Sequence, residues 1–186
     1  MTDSSISPDE AERVRAGAEL LYTADEVEQA LDSMARDITA GLGDKNPVVL
    51  CLMIGAVVTV GKLLPRLDFP LQLEYVHATR YQGDTSGRTV EWLKSPSITI
   101  QNRTVLIVDD ILDEGITLSS IIEECHSLRA KEIFTAVLIT KNTPKKSLQK
   151  ADFTGLYVPN RYVFGYGMDY KEYLRNVPGI YAVKEE

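Results

Sequence analysis

The sequence contains few of the residues that build metal centres and disulfide frameworks. Two cysteines and two histidines occur among 186 residues. Cys51 and Cys125 lie in apolar stretches without the spacing of metal ligands, so we expect both to be reduced core thiols in a cytoplasmic protein. His77 and His126 have no paired acids near them in sequence, which makes a histidine metal site or a catalytic triad a poor interpretation.

Long hydrophobic runs and excess positive charge are also missing. No apolar run approaches the roughly 18 residues that a membrane span needs, and Met1 to Ser5 are polar and acidic, unlike a signal peptide. The formal net charge is −7. This charge argues against nucleic acid as a partner, because binding to its phosphates needs clustered Lys and Arg. A small anionic substrate remains compatible with it if Mg²⁺ bridges phosphates to carboxylates.

The chain is long enough for one domain, over residues 1–186, built around one core. Apolar runs of strand length alternate with helical patterns, which predicts an α/β fold with a mainly parallel sheet. The predicted strands are residues 48–54, 71–78, 104–108, 133–140 and a short fifth at 155–158. The predicted helices run from a Thr23–Glu26 capping box to Gly41 and Gly43, from Gly55 to before Pro65, and over 117–129. We expect residues 1–10 to be loosely held, residues 80–92 to form a loop, and residues 166–175 and 180–183 to form a C-terminal appendage.

The most informative segment is Val105 to Thr117, where a buried strand leads into three carboxylates, a glycine and the start of an amphipathic helix. Ligands of open α/β sheets bind at the carboxyl ends of strands, and a helix start offers N–H groups and partial positive charge to a phosphate. The carboxylates can accept hydrogen bonds from sugar hydroxyls or hold Mg²⁺ through water. From these residues alone, a solvated strand end with acidic N-cap residues or a metal site of another α/β enzyme stays open.

The same segment closely resembles the motif by which type I phosphoribosyltransferases bind phosphoribosyl diphosphate (PRPP). It has the apolar strand, paired acids, two apolar residues, Asp, a variable residue, Gly, a variable residue and Thr. The resemblance covers the chain from about residue 20 to 183 and is to the hypoxanthine-guanine branch of that family. It implies a parallel core sheet flanked by helices, with a small hood built from the chain ends. It also implies purine salvage, in which the 5-phosphoribosyl group of PRPP passes to hypoxanthine or guanine to give IMP or GMP and diphosphate.

The resemblance assigns roles within this segment. Asp109 and Asp110 would meet the ribose hydroxyls, directly or through Mg²⁺, and Asp113 would lie near purine N7 as general base or proton relay. The 5′-phosphate would be cradled by the residues that follow, Glu114, Gly115, Ile116 and Thr117. Because a carboxylate inside that cradle would be repelled, we expect the Glu114 side chain to face solvent while its N–H serves the phosphate.

Other parts of the site would come from distant parts of the chain. Ile54 and Gly55 fall in the family's diphosphate-binding loop, which often carries a cis peptide, and Arg175 matches a cation that binds diphosphate. The loop usually has Lys or Arg and a second Gly, so Ile54 and Ala56 depart from the pattern. Arg80 and Tyr81 resemble the start of a lid, although Ser is common at the position of Arg80.

The base pocket would contain Lys141, which donates to purine O6 in the family. An ammonium group only donates, so it suits a 6-oxo group and disfavours the 6-amino group of adenine. Tyr162 would stack on the base, Val163 would read its edge through the backbone, and Asp169 would contact a second Mg²⁺ and a 2-amino group. Without the resemblance, Lys141 also fits a solvated basic patch, since lysines follow it closely.

Two alternatives to this function stay open. A non-catalytic relative of the same fold could bind PRPP or a nucleotide as a regulatory signal, and an enzyme of the same fold could prefer another base, xanthine above all. By analogy with the family, we expect a homo-oligomer, either a dimer or a tetramer.

Overall fold

In the computed structural model, residues 6–80, 90–143 and 150–184 are described, with backbone alone at 78–80 and 90–93. These residues form nine strands, four α-helices and one short 3-10 helix. The strands are β1 (Glu19–Tyr22), β2 (Val48–Met53), β3 (Gln72–Arg80), β4 (Val90–Lys94), β5 (Thr104–Leu112), β6 (Glu132–Asn142), β7 (Phe153–Pro159), β8 (Val163–Phe164) and β9 (Ile180–Ala182). The helices are α1 (Pro8–Gly17), α2 (Ala24–Leu42), α3 (Val57–Leu63) and α4 (Ile116–Ser127), and the 3-10 helix is Leu64–Arg66.

The larger sheet has six strands in the order β4-β3-β2-β5-β6-β7. All neighbouring strands are parallel except β3 and β4. The chain moves from β2 to β3 on one side of the sheet and from β5 to β6 and β7 on the other, so its direction reverses between β2 and β5. Ligands of such sheets bind at the carboxyl ends of the strands beside this reversal.

Burial on both faces of the central strands explains their continuous apolar sequences. Residues 48–52 of β2 and 104–108 of β5 are buried throughout, as expected for parallel strands covered by helices. Helix α2 turns an apolar stripe towards this core, and Val27, Leu31 and Ile38 are fully buried. Its start is the predicted capping box: Thr23 N–H donates to Glu26 Oε2 at 2.8 Å and Glu26 N–H donates to Thr23 Oγ1 at 3.3 Å.

The chain ends form a second, smaller sheet. Strands β1, β9 and β8 pair antiparallel in that order, with Glu19 opposite Ala182 and Val163 also opposite Ala182. The predicted hood from the chain ends is confirmed. The five predicted strands are likewise present, as β2, β3, β5, β6 and β7.

Three of the predicted boundaries are wrong. Residues 1–10 are not loosely held throughout, because α1 begins at Pro8, where the Ser7 side chain accepts from Glu10 N–H at 3.1 Å. The predicted 80–92 loop ends early, since β4 pairs with β3 from Val90 onwards; residues 81–89 lie outside the described residues. Strand β5 runs beyond residue 108 to Leu112, because β6 remains paired with it that far. Of the helices in the described ranges, none combines the length and the apolar character of a membrane span.

Candidate active site

The carboxyl end of β5 leads into the N-terminus of α4 through a tight glycine turn. Gly115 has a φ of 78°, which glycine adopts without the steric cost that a side chain brings, and α4 begins at the next residue. No side chain caps this helix. The first N–H groups of a helix lack partners within it and carry partial positive charge. They border a cavity of about 290 Å³ whose lining includes residues 109–115, 117 and 118, so the turn can hold an anion.

Two adjacent carboxylates, Asp109 and Asp110, lie between this cavity and a second one of about 190 Å³. Burial raises the pKa of both carboxyl groups, and the charge of Asp110 adds to the rise for Asp109, whereas Arg175 opposes it for Asp110. Asp109 Oδ1 accepts the Asp110 N–H at 2.9 Å. The protein therefore stabilises the charged form of this pair only in part, and a ligand with hydroxyl donors or a cation would stabilise it further.

The loop after β2 lies directly against this acid pair. The Met53–Ile54 peptide bond is cis, as the resemblance implied. A Cβ atom at Gly55 would overlap the Asp110 carboxylate, so a side chain at this position would displace Asp110. Gly167, at a φ of 105°, is packed in turn against the Gly55 carbonyl, where a Cβ atom would also overlap. These contacts bring the C-terminal segment to the carboxyl end of the sheet.

Arg175 is held in place by that C-terminal segment. Its Nη1 donates to the Gly167 carbonyl at 2.7 Å and its Nη2 pairs with Asp169 Oδ1 at 2.9 Å. Asp169 Oδ2 accepts the Glu172 N–H at 2.7 Å, so each of its carboxylate oxygens has a donor within the protein. Arg175 also lines the smaller cavity together with Gly55 and Asp110. The cavity thus has a cationic wall facing an acidic one.

The predicted base-binding and catalytic residues meet at the ends of neighbouring strands. Lys141 Nζ and Asp113 Oδ2 are 2.8 Å apart, with Lys141 at the end of β6 and Asp113 directly after β5. The Lys141 side chain is 13% exposed and that of Asp113 is 42% exposed. Asp113 also borders the larger cavity. A donor and a proton acceptor are therefore presented side by side next to the candidate phosphate site.

Tyr162 provides an aromatic face in the smaller sheet region. Its side chain is 51% exposed, and its ring meets that of Tyr170 edge-on at 5.4 Å between centroids. Burial and then the charge of Asp169 raise the pKa of Tyr162. Val163 follows in β8 and is buried.

The remaining predicted residues are placed less fully. Ile54 is 51% exposed beside the cis peptide. Glu114 is half-buried and borders the larger cavity, so the expected solvent-facing position of its carboxylate stays a prediction. Arg80 ends β3 with only its backbone described, and Tyr81 lies outside the described residues. Within the described residues, no group of three His, Cys, Asp or Glu side chains could hold a metal ion.

Gly167 is a site residue that the sequence interpretation missed. The resemblance placed Asp169 and Arg175 of the 166–175 appendage in the site, but the contact of Gly167 with Gly55, which attaches that segment there, was not expected. A signal was present, because two glycines flank Tyr166 in a segment rich in aromatic residues. Such glycines indicate a positive φ or a close backbone approach.

Known proteins with similar sequences and structures match this arrangement over most of its length. The model of the phosphoribosyl transferase domain matches residues 17–171. A hypoxanthine-guanine-xanthine phosphoribosyltransferase of Tritrichomonas foetus is 33% identical over 186 residues, which cover 100% of this chain and 98% of the relative. A hypoxanthine-guanine phosphoribosyltransferase of Bacillus subtilis is 31% identical over 166 residues, covering 89% and 92% of the two chains.

The fold comparison gives the same result. A crystal structure of a hypoxanthine phosphoribosyltransferase from Staphylococcus aureus superimposes with a TM-score of 0.85 at 28% sequence identity, and the match covers 91% of this chain and 94% of that one. The sequence motif at the end of β5, the parallel sheet with its hood and the matching relatives all agree. The chain belongs to the phosphoribosyltransferase family.

Proposed function

We propose that the chain is a purine-salvage enzyme that transfers the 5-phosphoribosyl group of PRPP to hypoxanthine or guanine, giving IMP or GMP and diphosphate. In this proposal, residues 1–186 act as one phosphoribosyltransferase domain. The relatives from Tritrichomonas foetus and Bacillus subtilis carry the names of hypoxanthine-guanine(-xanthine) enzymes, and both match at least 89% of the chain. The observation that carries the assignment is the placement of Lys141 and Asp113, 2.8 Å apart.

This pair matches one edge of a 6-oxopurine. The purine carries O6 and N7 side by side, so a base bound there meets a donor and a proton acceptor at once. The Lys141 ammonium would donate to O6, and Asp113 would accept or relay the N7 proton as N9 attacks the sugar. Adenine places a 6-amino donor against the same ammonium, which leaves two donors facing each other and costs about 1–3 kcal/mol.

The donor substrate would occupy the two cavities at the end of β5. The first turn of α4, with Gly115 and Thr117, would bind the 5′-phosphate through its amides, and Glu114 and Ile116 would contribute their backbone N–H groups. Asp109 and Asp110 would accept hydrogen bonds from the ribose hydroxyls. Burial raises the pKa of both groups, and donors from the ligand would stabilise their charged form.

The leaving diphosphate would lie in the smaller cavity, along the wall that carries Gly55 and Arg175. Ile54 and Gly55 would offer backbone N–H groups, and Arg175 would neutralise charge as the bond from C1′ to diphosphate breaks. Arg80 and Tyr81 are proposed to begin a lid whose closure excludes water, which would otherwise hydrolyse the activated sugar.

Mg²⁺ fits this site as an ion carried mainly by the substrate. Proteins usually hold it through one or two carboxylates plus substrate phosphates. Asp109 and Asp110 offer such carboxylates beside the cavities, in keeping with the absence of any three-ligand cluster in the described part of the chain. Asp169 is the proposed contact of a second ion, and it would have to exchange its Arg175 or Glu172 partner to serve. When bound, the ion would neutralise the diphosphate charge.

The base would be held by contacts beyond Lys141. Tyr162 would stack on its face with the part of the ring that remains exposed, and the Val163 backbone would read its edge. The Asp169 carbonyl would accept from a 2-amino group of guanine. An enzyme preferring xanthine is the second candidate, favoured by the name of the Tritrichomonas foetus relative. We also propose that the protein is cytoplasmic and a homo-oligomer, either a dimer or a tetramer.

The direct test is turnover of four bases with PRPP and Mg²⁺, followed by ultraviolet absorbance. Hypoxanthine and guanine should be converted and adenine should not, and the rate with xanthine decides the second candidate. Turnover of none of the bases, with PRPP still bound in calorimetry, would replace the enzyme by a regulatory PRPP-binding protein.

A further inference from the structure

The segment that carries Asp169 and Arg175 lacks the support of a regular helix or strand. Between Gly165 and Arg175, only two isolated antiparallel bridges occur, Gly165 with Met168 and Tyr170 with Tyr173. Tyr166 has a φ of 52°, and three further non-glycine residues of the segment also have positive φ. Each such residue costs roughly 1 kcal/mol or more, so the surrounding structure must hold the segment in this conformation.

The Tyr166 side chain provides such an attachment. It is 5% exposed, and its hydroxyl donates to Glu28 Oε1 on α2, 138 residues away in the sequence. Burial and then the Glu28 carboxylate raise the pKa of Tyr166, so its hydroxyl stays protonated and able to donate. Lys62 and then Tyr166 lower the pKa of Glu28 to about 2, so Glu28 stays ionised as the acceptor.

Glu28 also contacts the elements beside Gly55, which is the other part of the proposed diphosphate site. Its carboxylate pairs with Lys62 Nζ at 2.8 Å and with Arg66 Nη2 at 2.6 Å. Arg66 pairs further with Asp32 of α2 at 2.6 Å and donates to the Lys62 carbonyl at 2.6 Å. Lys62 lies in the last turn of α3, which begins directly after the loop containing Gly55. One carboxylate therefore contacts both the helix that follows this loop and the segment that holds Arg175.

The two sides meet at the residue next to Tyr166. Gly167 packs against the Gly55 carbonyl and receives the Arg175 Nη1 hydrogen bond, while its own N–H donates to the Arg175 carbonyl at 2.9 Å. A shift of Tyr166 would move Gly167, and with it Arg175, away from Gly55.

We propose that Tyr166 is a positioning residue: its hydrogen bond to Glu28 sets the place of Arg175 opposite Gly55 and thereby the affinity for the diphosphate group. The inference rests on the proposed function, because it assigns the wall to diphosphate. It differs from a purely structural role, in which the network stabilises the fold and leaves substrate affinity unchanged.

Tyr166→Phe removes the hydroxyl and keeps the ring. The KM for PRPP should rise about tenfold, as expected for a lost hydrogen bond to a charged group. The value of kcat should fall as well, because Arg175 stabilises the leaving diphosphate, whereas the KM for hypoxanthine should stay within about twofold. The matched control is Tyr22→Phe, which removes a hydroxyl of the hood that donates to the Tyr157 carbonyl of β7 at 2.7 Å; it should change none of the three.

Glu28→Gln distinguishes an effect on the position of Arg175 from an effect on the stability of the fold. Glutamine keeps an oxygen that can accept from Tyr166 but loses the charge that pairs with Lys62 and Arg66, so this variant should unfold at a lower temperature while keeping the wild-type KM for PRPP. If Tyr166→Phe does not fold, Glu28→Ala removes the acceptor instead, and the same tenfold rise is expected of it.

Calorimetry with diphosphate and Mg²⁺ as the probe removes the dependence on turnover. A Kd raised about tenfold in Tyr166→Phe and unchanged in Tyr22→Phe would support the inference even if no purine is converted, in which case only the proposed function fails. A Kd and a KM for PRPP unchanged in Tyr166→Phe, with only the melting temperature lowered, would overturn it.

Discussion

The acidic side chains at the two ends of the parallel sheet differ in how far the protein compensates their charge. At the amino end, Glu132 accepts from Lys45 at 3.0 Å and from the Thr104 hydroxyl at 3.0 Å, and these partners, Lys45 first, lower its pKa. At the carboxyl end, Asp109 and Asp110 lie beside each other with pKa values raised by burial. The charge of Glu132 is thus compensated within the protein, whereas the burial of Asp109 and Asp110 is compensated only in part, by Arg175 at Asp110. Evolved binding sites often carry such a cost in stability.

The largest expected effect that sharpens this contrast is on catalysis. Asp113→Asn keeps the size of the side chain but cannot take a proton, so kcat with hypoxanthine should fall by about 10²–10⁴-fold. Calorimetry should show PRPP binding within about twofold of wild type, since Asp113 acts on the base. The control is Glu132→Gln, the same acid-to-amide change at the amino end, which should leave kcat unchanged. An unaltered kcat in Asp113→Asn would remove the proposed base.

The next effect is on the choice of base. Lys141→Met removes the donor to O6, and kcat/KM for hypoxanthine should fall by about 10–100-fold, the size expected for an unsatisfied acceptor. Lys45→Met breaks a lysine–carboxylate pair of nearly the same length at the amino end, 3.0 Å against 2.8 Å, and should leave kcat/KM unchanged. Equal losses in the two variants would mean that Lys141 acts on the fold and not on the base.

The third prediction concerns stability: replacing Asp109 should stabilise the folded protein although it lowers activity. The pKa of Asp109 is higher in the folded protein than in the unfolded chain, so this group favours folding at low pH and opposes it as the pH rises through the folded value. Asp109→Asn should therefore raise the melting temperature of the ligand-free protein at pH 7 while lowering turnover. The gain should shrink as the pH is lowered towards about 4. A fall in melting temperature at pH 7 would contradict the contrast between the two ends.

The smallest expected effect is that of Glu132→Gln, at the amino end of the sheet, on the melting temperature. The pKa of Glu132 is lower in the folded protein, so its contribution to stability is present above the ordinary glutamate pKa and is lost as the pH falls through the folded value. Glu132→Gln should lower the melting temperature slightly at pH 7, by less than the rise in Asp109→Asn. The difference from wild type should disappear in acid. Thermal unfolding between pH 3 and 7 measures both variants together.

The sequence could predict the part of the site that is continuous along the chain. The segment from Asp109 to Thr117 needs only a strand, a left-handed glycine and a helix start, and each has a local signal. The strand β4 could not be predicted, because its pairing with β3 follows a segment rich in Gly, Thr and Asp that reads as a loop.

The opposite wall depends on contacts between residues far apart in sequence. The packing of Gly167 on Gly55 and the bond from Tyr166 to Glu28 arise only when the C-terminal segment returns to the sheet. The resemblance implied that Arg175 binds diphosphate, but no periodicity or spacing indicated what holds its side chain. The sequence therefore predicted the local elements that carry the candidate site, a strand, a glycine turn and a helix, and missed the contacts that tertiary packing determines.

A crystal structure of the protein with PRPP and Mg²⁺, without a base, tests the central claim most directly. Phosphate oxygens should lie about 3 Å from the amide nitrogens of residues 114–117, and the ribose hydroxyls should donate to Asp109 and Asp110. A donor bound elsewhere, with that cavity empty and the two aspartates facing other side chains, would contradict it.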